Sequence, residues 1–143
     1  MKKNLQIFLI SFLLVGLSET IINQVFLKPS YDSLASLWRS KDELGAYAPI
    51  FLGIYLVFAS SFSYIFYLFR DNMDSIKGLK LGLALGFLSR FWYAYTNFIV
   101  LPISFGLALG WFVFGLIELG VIGLACGYFA ERQNLRNRET IRG

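Results

Sequence analysis

The chain has 143 residues, 57% of them hydrophobic and 18% aromatic, only 15% charged, with a net charge of +4 and a mean hydropathy of +0.61. A soluble domain is usually about 45–50% apolar and about 25% charged, and a chain this short has too little interior to hide the excess. Disorder, a collagen-like fibre and a disulfide scaffold are excluded, which leaves an integral membrane protein whose residues 1–143 form a single transmembrane domain.

A bilayer core about 30 Å thick needs about 20 apolar residues per helix. Four runs reach that length, at about 5–27, 48–69, 79–101 and 104–130. None alternates as a membrane β-strand would, and helices satisfy their own backbone groups in lipid. The expected fold is therefore an all-α, four-helix transmembrane bundle. The first run follows Lys2 and Lys3 and, with Gly16 and Ser18, resembles a signal peptide with a small-x-small cleavage site. Its apolar character resumes at Ile21, Ile22, Val25, Phe26 and Leu27, which favours a retained span over cleavage of residues 1–18.

The outer loop, 28–47, is long and polar. Leu34, Leu37, Trp38 and Leu44 share one face at helical spacing, with Asp32 or Ser33 as a cap and Gly45 suited to the end. That predicts a short amphipathic interfacial helix anchored by Trp38 and Arg39. The cytoplasmic loop, 70–78, is short and charged, and the turn at Pro102 makes the last two spans an antiparallel hairpin. Lys2, Lys3, Arg70, Lys77, Lys80, Arg132, Arg136, Arg138 and Arg142 fall on one side, against Lys28, Arg39 and Lys41 on the other. The bias puts both termini and the 131–143 tail in the cytoplasm, with the chain expected in the cell membrane.

Lipid gives helices no hydrophobic reason to associate, so small residues that allow close approach carry the packing. Gly82 and Gly86, Gly106 and Gly110, and Gly123 and Gly127 form three GxxxG pairs. They serve packing within one bundle or a homodimer seam. The segment Gly82-Leu-Ala-Leu-Gly86 repeats as Gly106-Leu-Ala-Leu-Gly110, an echo that glycine-rich composition makes cheap.

Three charges lie inside predicted spans: Glu19, Arg90 and Glu118. A charge at the bilayer centre costs about 2.5–3.5 kcal/mol on insertion scales, so all three should face the interior and pair. At about 1.5 Å per residue, Arg90 falls between the two carboxylates in depth. The hairpin favours Arg90–Glu118 as the pair, with Glu19 as second partner or free carboxylate. Asn23, Tyr93, Asn97 and Trp111 join the candidate ligand-binding or proton-coupling site, with Gly86 opening space beside Arg90 and Tyr64 and Ser60, Ser61 and Ser63 adding hydroxyls. Two carboxylates against one guanidinium leave a surplus negative charge, met by a proton on a carboxylate or by a bound cation.

Other chemistry is excluded by what is missing. The chain has no histidine, which removes the usual haem, copper and zinc sites and any Ser-His pair. Cys126 is the single cysteine, and no lysine lies deep in a span, Lys80 standing at the very start of the third. No cofactor, metal or nucleic acid is expected. The aromatic run Phe91-Trp92-Tyr93, with Tyr95 and Phe98, reads as lipid-facing or interhelical packing rather than a ligand platform.

The Trp38-Arg39 outer loop, the glycine-rich third helix from Gly82 and Gly110-Trp111 in the fourth resemble small bacterial integral membrane proteins with four helices, which implies architecture only. Glu19 in a first helix is also similar to the first-helix glutamate of small multidrug-resistance transporters, which exchanges protons for cationic drugs. Arg90, Glu118 and the long outer loop depart from that pattern, and its function is not carried over. The expected function is binding or transport of a small solute at the charged site, with proton coupling. The alternative is a non-catalytic membrane assembly protein in which the charges are a structural pin.

Overall fold

A computed structural model describes residues 2–69 and 73–142; the side chains at 2, 3, 41 and 136–142 lie outside the description. Arg70, read above as part of the orienting charge, lies outside the described residues, as do the side chains of Lys2, Lys3, Lys41, Arg136, Arg138 and Arg142.

Every element found among the described residues is helical. Four are long: α1 (Lys2–Ile21), α4 (Ala48–Leu68), α5 (Ser75–Val100) and α6 (Phe105–Arg142). Two are short: α2 (Lys28–Asp32) and α3 (Lys41–Ala46). Helix α1 sits between α4 and α6, and α6 packs along α5. Three segments are long and apolar enough to cross a membrane: Asn4–Phe26, Ala48–Leu68 and Phe105–Leu135. Helix α5 is equally long but is diluted by Lys80, Arg90, Tyr93, Tyr95 and Asn97.

The apolar surface divides as a lipid-facing protein requires. Leu5, Leu9, Leu13, Leu17 and Ile21 recur every fourth residue and are exposed, forming one stripe along α1. The opposite face of α1 contributes Ile7 and Val15 to a core with Phe62 and Phe66 of α4 and Leu119, Ile122 and Cys126 of α6. Ser11 is fully buried there and donates back to the Ile7 carbonyl at 2.9 Å.

The α5–α6 seam is made of glycine. An added Cβ would lie 2.2 Å from the Gly123 carbonyl oxygen at Gly78, 2.0 Å from that of Leu119 at Gly82, and 2.5 Å from that of Asp74 at Gly127. Gly86 meets Leu116 and Leu119 in the same seam. Two of the three expected pairs are thus used inside the chain, and Gly78, read as loop, belongs with them. The third pair is different. Gly110 packs on the Leu27 side chain, and a Cβ at Gly106 would find only Ser104 Oγ at 3.9 Å. Gly106 therefore makes no close helix contact within the chain, and the two Gly-Leu-Ala-Leu-Gly segments occupy unlike environments.

The outer segment is not one amphipathic helix. It breaks into α2, a 3-10 turn at Ala35–Leu37 and α3. Leu34 and Trp38 leave helical backbone geometry, with ψ of 30° and 155°. Neither Asp32 nor Ser33 caps a helix start; Ser40 does. Its hydroxyl accepts from the Glu43 N–H while Glu43 accepts from the Ser40 N–H at 2.8 Å, a reciprocal capping box. These bonds hold the Glu43 carboxyl below its ordinary pKa, the Ser40 backbone N–H contributing most. The segment folds onto the N-terminal end of α6, where Leu27, Leu34, Leu37 and Trp38 pack with Ile103, Leu107, Ala108 and Trp111.

Candidate functional site: a charged bridge across three helices

Helix α1 does not end cleanly at Ile21. It widens into a π-helical turn, Ile22–Phe26, closed by the Leu27 N–H on the Ile22 carbonyl at 2.9 Å. Such turns recur at functional sites. Glu19 lies one turn before it and Asn23 within it. Asn23 Nδ2 donates to the Glu19 backbone carbonyl at 2.8 Å and to Glu19 Oε2 at 2.7 Å, fixing the carboxylate against its own helix.

Arg90 reaches the site from α5. Nη2 donates to Glu19 Oε1 on α1 and to Glu118 Oε2 on α6, each at 2.8 Å. Both bonds leave from one nitrogen, so Nε and Nη1 are not used in them. The side chain crosses α6 over Gly115, where a Cβ would lie 2.7 Å from Arg90 Cγ, Cδ and Nε. Gly115, not Gly86, makes room for the guanidinium. The Glu118 side chain is sealed, 1% exposed, while those of Glu19 and Arg90 are 22% and 26% exposed. The Ser18 hydroxyl oxygen lies 2.5 Å from Glu118 Oε1 and 2.6 Å from the Leu14 carbonyl oxygen.

The network continues outward. Asn23 Oδ1 accepts from the Tyr31 hydroxyl at 2.7 Å, and that hydroxyl accepts from Trp111 Nε1 at 2.7 Å. Burial pushes the Tyr31 phenol above its ordinary pKa, so it remains a donor. Trp38, expected as an anchor, sets its ring edge-on to Tyr31 and Trp111 at 5.5 and 6.4 Å, and its indole nitrogen is buried without a partner among the described residues. Arg39 stacks over the Tyr47 ring at 4.9 Å. The Tyr93 ring packs on Trp111 at 5.4 Å. One continuous chain of hydrogen bonds and ion pairs therefore runs from Trp111 through Tyr31, Asn23, Glu19 and Arg90 to Glu118 and Ser18.

The other expected members are elsewhere. Asn97 donates to the Tyr93 carbonyl within α5. Ser60 bonds back to Leu56, Ser63 donates to the Asn4 carbonyl, and Tyr64 is exposed, so these three α4 hydroxyls do not serve the charges. Phe91 packs with Phe87, Tyr95 and Phe112, and Trp92 is exposed. Ser18, Tyr31 and Gly115 are the members that sequence reasoning missed. No group of three or more His, Cys, Asp or Glu that could hold a metal occurs among the described residues. No protein-family model, curated protein or solved structure matches the chain.

Tyr31 tests the outer half of the network. Tyr31→Phe leaves Trp111 Nε1 without its acceptor and Asn23 Oδ1 without its donor. An unmade buried hydrogen bond costs about 1–3 kcal/mol. Thermal unfolding in detergent should show a loss in that range, and tryptophan emission should shift to longer wavelength as water reaches Trp111.

Proposed function

We propose that this is a small polytopic protein of the bacterial inner membrane that binds or transports a small solute at the Glu19–Arg90–Glu118 site, with proton coupling. In this reading α5 is a fourth membrane crossing, the four long helices form one bundle, and both termini face the cytoplasm. The outward surface of α5 supports the crossing: Leu83, Phe87, Leu88, Trp92, Ile99 and Val100 are exposed, while Arg90 turns inward to its partners. A hydropathy window charges Arg90 to the lipid, although its cost is met inside the protein. The basic residues of the short loops support the orientation.

The observation that carries the reading is the partial exposure of Arg90 and Glu19 at mid-span. A purely structural ion pair in lipid is best sealed on all sides, because any exposed part of it faces hydrocarbon. These two side chains keep about a quarter of their surface open, which calls for water or solute beside them. Arg90 would hold an anionic or carbonyl group through Nε and Nη1, and a carboxylate would exchange the proton. The sealed Glu118 favours the second reading, a membrane assembly protein pinned by its charges.

The two separate in proteoliposomes loaded with the pH indicator pyranine. Sodium, tetramethylammonium, acetate and glycine would be presented in turn. The parent is expected to move protons in response to at least one. The triple variant Arg90→Leu, Glu19→Gln, Glu118→Leu is expected to fold and give no response. Equal behaviour of parent and variant across the set would overturn transport and leave the pin.

A further inference from the structure

Ser18 has one hydroxyl hydrogen and two short acceptor contacts. Its oxygen is 2.6 Å from the Leu14 carbonyl and 2.5 Å from Glu118 Oε1. One hydrogen cannot make two near-linear bonds of that length to different acceptors. A carbonyl oxygen has no proton to give, so the Leu14 contact must use the hydroxyl's own hydrogen. The contact with Glu118 then needs a hydrogen from the carboxyl. Two oxygens at 2.5 Å with no proton between them would instead repel.

We propose that Glu118 is the proton-binding site of this protein: it is held as a neutral acid that donates to Ser18, Ser18 donates to Leu14, and Glu19 is the ionised partner of Arg90. The placement agrees with three independent features. Glu118 has the most completely sealed side chain of the triad, and burial of an isolated charge is relieved by neutralisation. Glu19 has the better anion environment, with Arg90 and Asn23 both donating to it. The assignment also brings the triad from a net charge of −1 to zero without a bound cation.

The proton balance is simple. When Glu118 releases its proton, the Ser18 hydroxyl turns from Leu14 to Glu118 Oε1, and Arg90 then faces two carboxylates. The proton leaves toward the exposed Glu19–Arg90 side, and the surplus charge draws in the next proton or a cationic solute. The titratable and charged groups facing Glu118 are Glu19 from α1, Arg90 from α5 and Tyr55 from α4, with Tyr93 of α5 beside Arg90 and Glu19. Tyr55 and Tyr93 are neutral near neutral pH, so Arg90 and Glu19 set the local charge.

This deepens the proposed coupling and rests on it for its role in transport; the position of the proton is read without any flux. Infrared difference spectra of the full chain in lipid at neutral pH should contain a protonated-carboxyl stretching band that shifts in deuterium oxide. Glu118→Gln should abolish it, and so should Glu19→Gln, which leaves Glu118 as the one carboxylate able to pair with Arg90 and draws off its proton. Ser18→Ala should move it to higher frequency, as expected for a carboxyl that has lost its acceptor. Stability gives a second readout should one variant fold poorly. Glutamine mimics a neutral acid, so Glu118→Gln should unfold within a few degrees of the parent, whereas Glu19→Gln forces charge onto the sealed Glu118 and should unfold clearly lower. No band in the parent, or a band that Ser18→Ala leaves unmoved, overturns the assignment. The band without any proteoliposome response overturns transport alone.

Discussion

Replacing Arg90 with leucine is expected to destabilise the protein by about 3–5 kcal/mol, the usual result of deleting one partner from a buried ion pair. The loss comes from what stays behind more than from what is removed. Glu118 is sealed, and Glu19 keeps only Asn23 as a donor. Gly115 would face the space that the Arg90 stem now fills, so a cavity adds to the charge term. Protonation of Glu19 beside an already neutral Glu118 limits the damage, which predicts a pH signature. The variant should regain stability as pH falls, because the charge stranded on Glu19 is then neutralised. Combining Arg90→Leu with Glu19→Gln should recover part of the loss, a coupling that a double-mutant cycle measures. Chemical unfolding in detergent across a pH series is the measurement. A loss below about 1 kcal/mol would put the bridge in the class of solvated surface pairs.

The charged site was the most legible part of the chain because a charge inside an apolar run has few explanations. Glu19, Arg90 and Glu118 announce themselves against their neighbours, and the turn at Pro102 brings Arg90 and Glu118 onto adjacent helices. Its supporting residues were not legible in the same way. Ser18 is one of several serines in helices, and its importance depends on where α6 sits. Tyr31 lies in a loop whose path sequence periodicity does not define. It meets Trp111 after a π turn that follows Glu19, and nothing in Ile22–Phe26 encodes that extra residue visibly. The outer segment misled for a related reason. Its apolar residues have helical spacing, but they bury themselves on α6 through a broken path instead of along one face. The pattern Ser40-x-x-Glu43 did encode the start of α3, and reading it as a capping box would have moved the helix start to the correct place.

Glycines show most plainly where sequence stops and packing begins. Gly82/Gly86 and Gly106/Gly110 carry the same five-residue motif, yet alanine is expected to have opposite effects in them. At Gly82 the new Cβ would stand 2.0 Å from the Leu119 carbonyl oxygen and 3.2 Å from Gly120 Cα. The obstacle is helix backbone, which cannot rotate away as a side chain can. Overpacking commonly costs about 1–3 kcal/mol, and a backbone clash puts Gly82→Ala at or above the top of that range. At Gly106 the nearest atom is a serine hydroxyl at 3.9 Å, an ordinary contact. Gly106→Ala should be neutral or stabilise by up to about 1 kcal/mol through the lower backbone entropy of alanine. The pair of variants, unfolded side by side in detergent, decides whether the α5–α6 seam is held by backbone proximity. The seam also governs the site. Arg90 rides on α5 and Glu118 on α6, two turns beyond Gly82 and next to Leu119. Forcing these helices apart lengthens the Arg90–Glu118 bond before it touches Glu19. Gly82→Ala should therefore lose the solute response together with stability, while Gly106→Ala keeps both. A Gly82→Ala variant as stable as the parent would mean that α5 and α6 are free to slide, and that the bridge rather than the glycines sets their register.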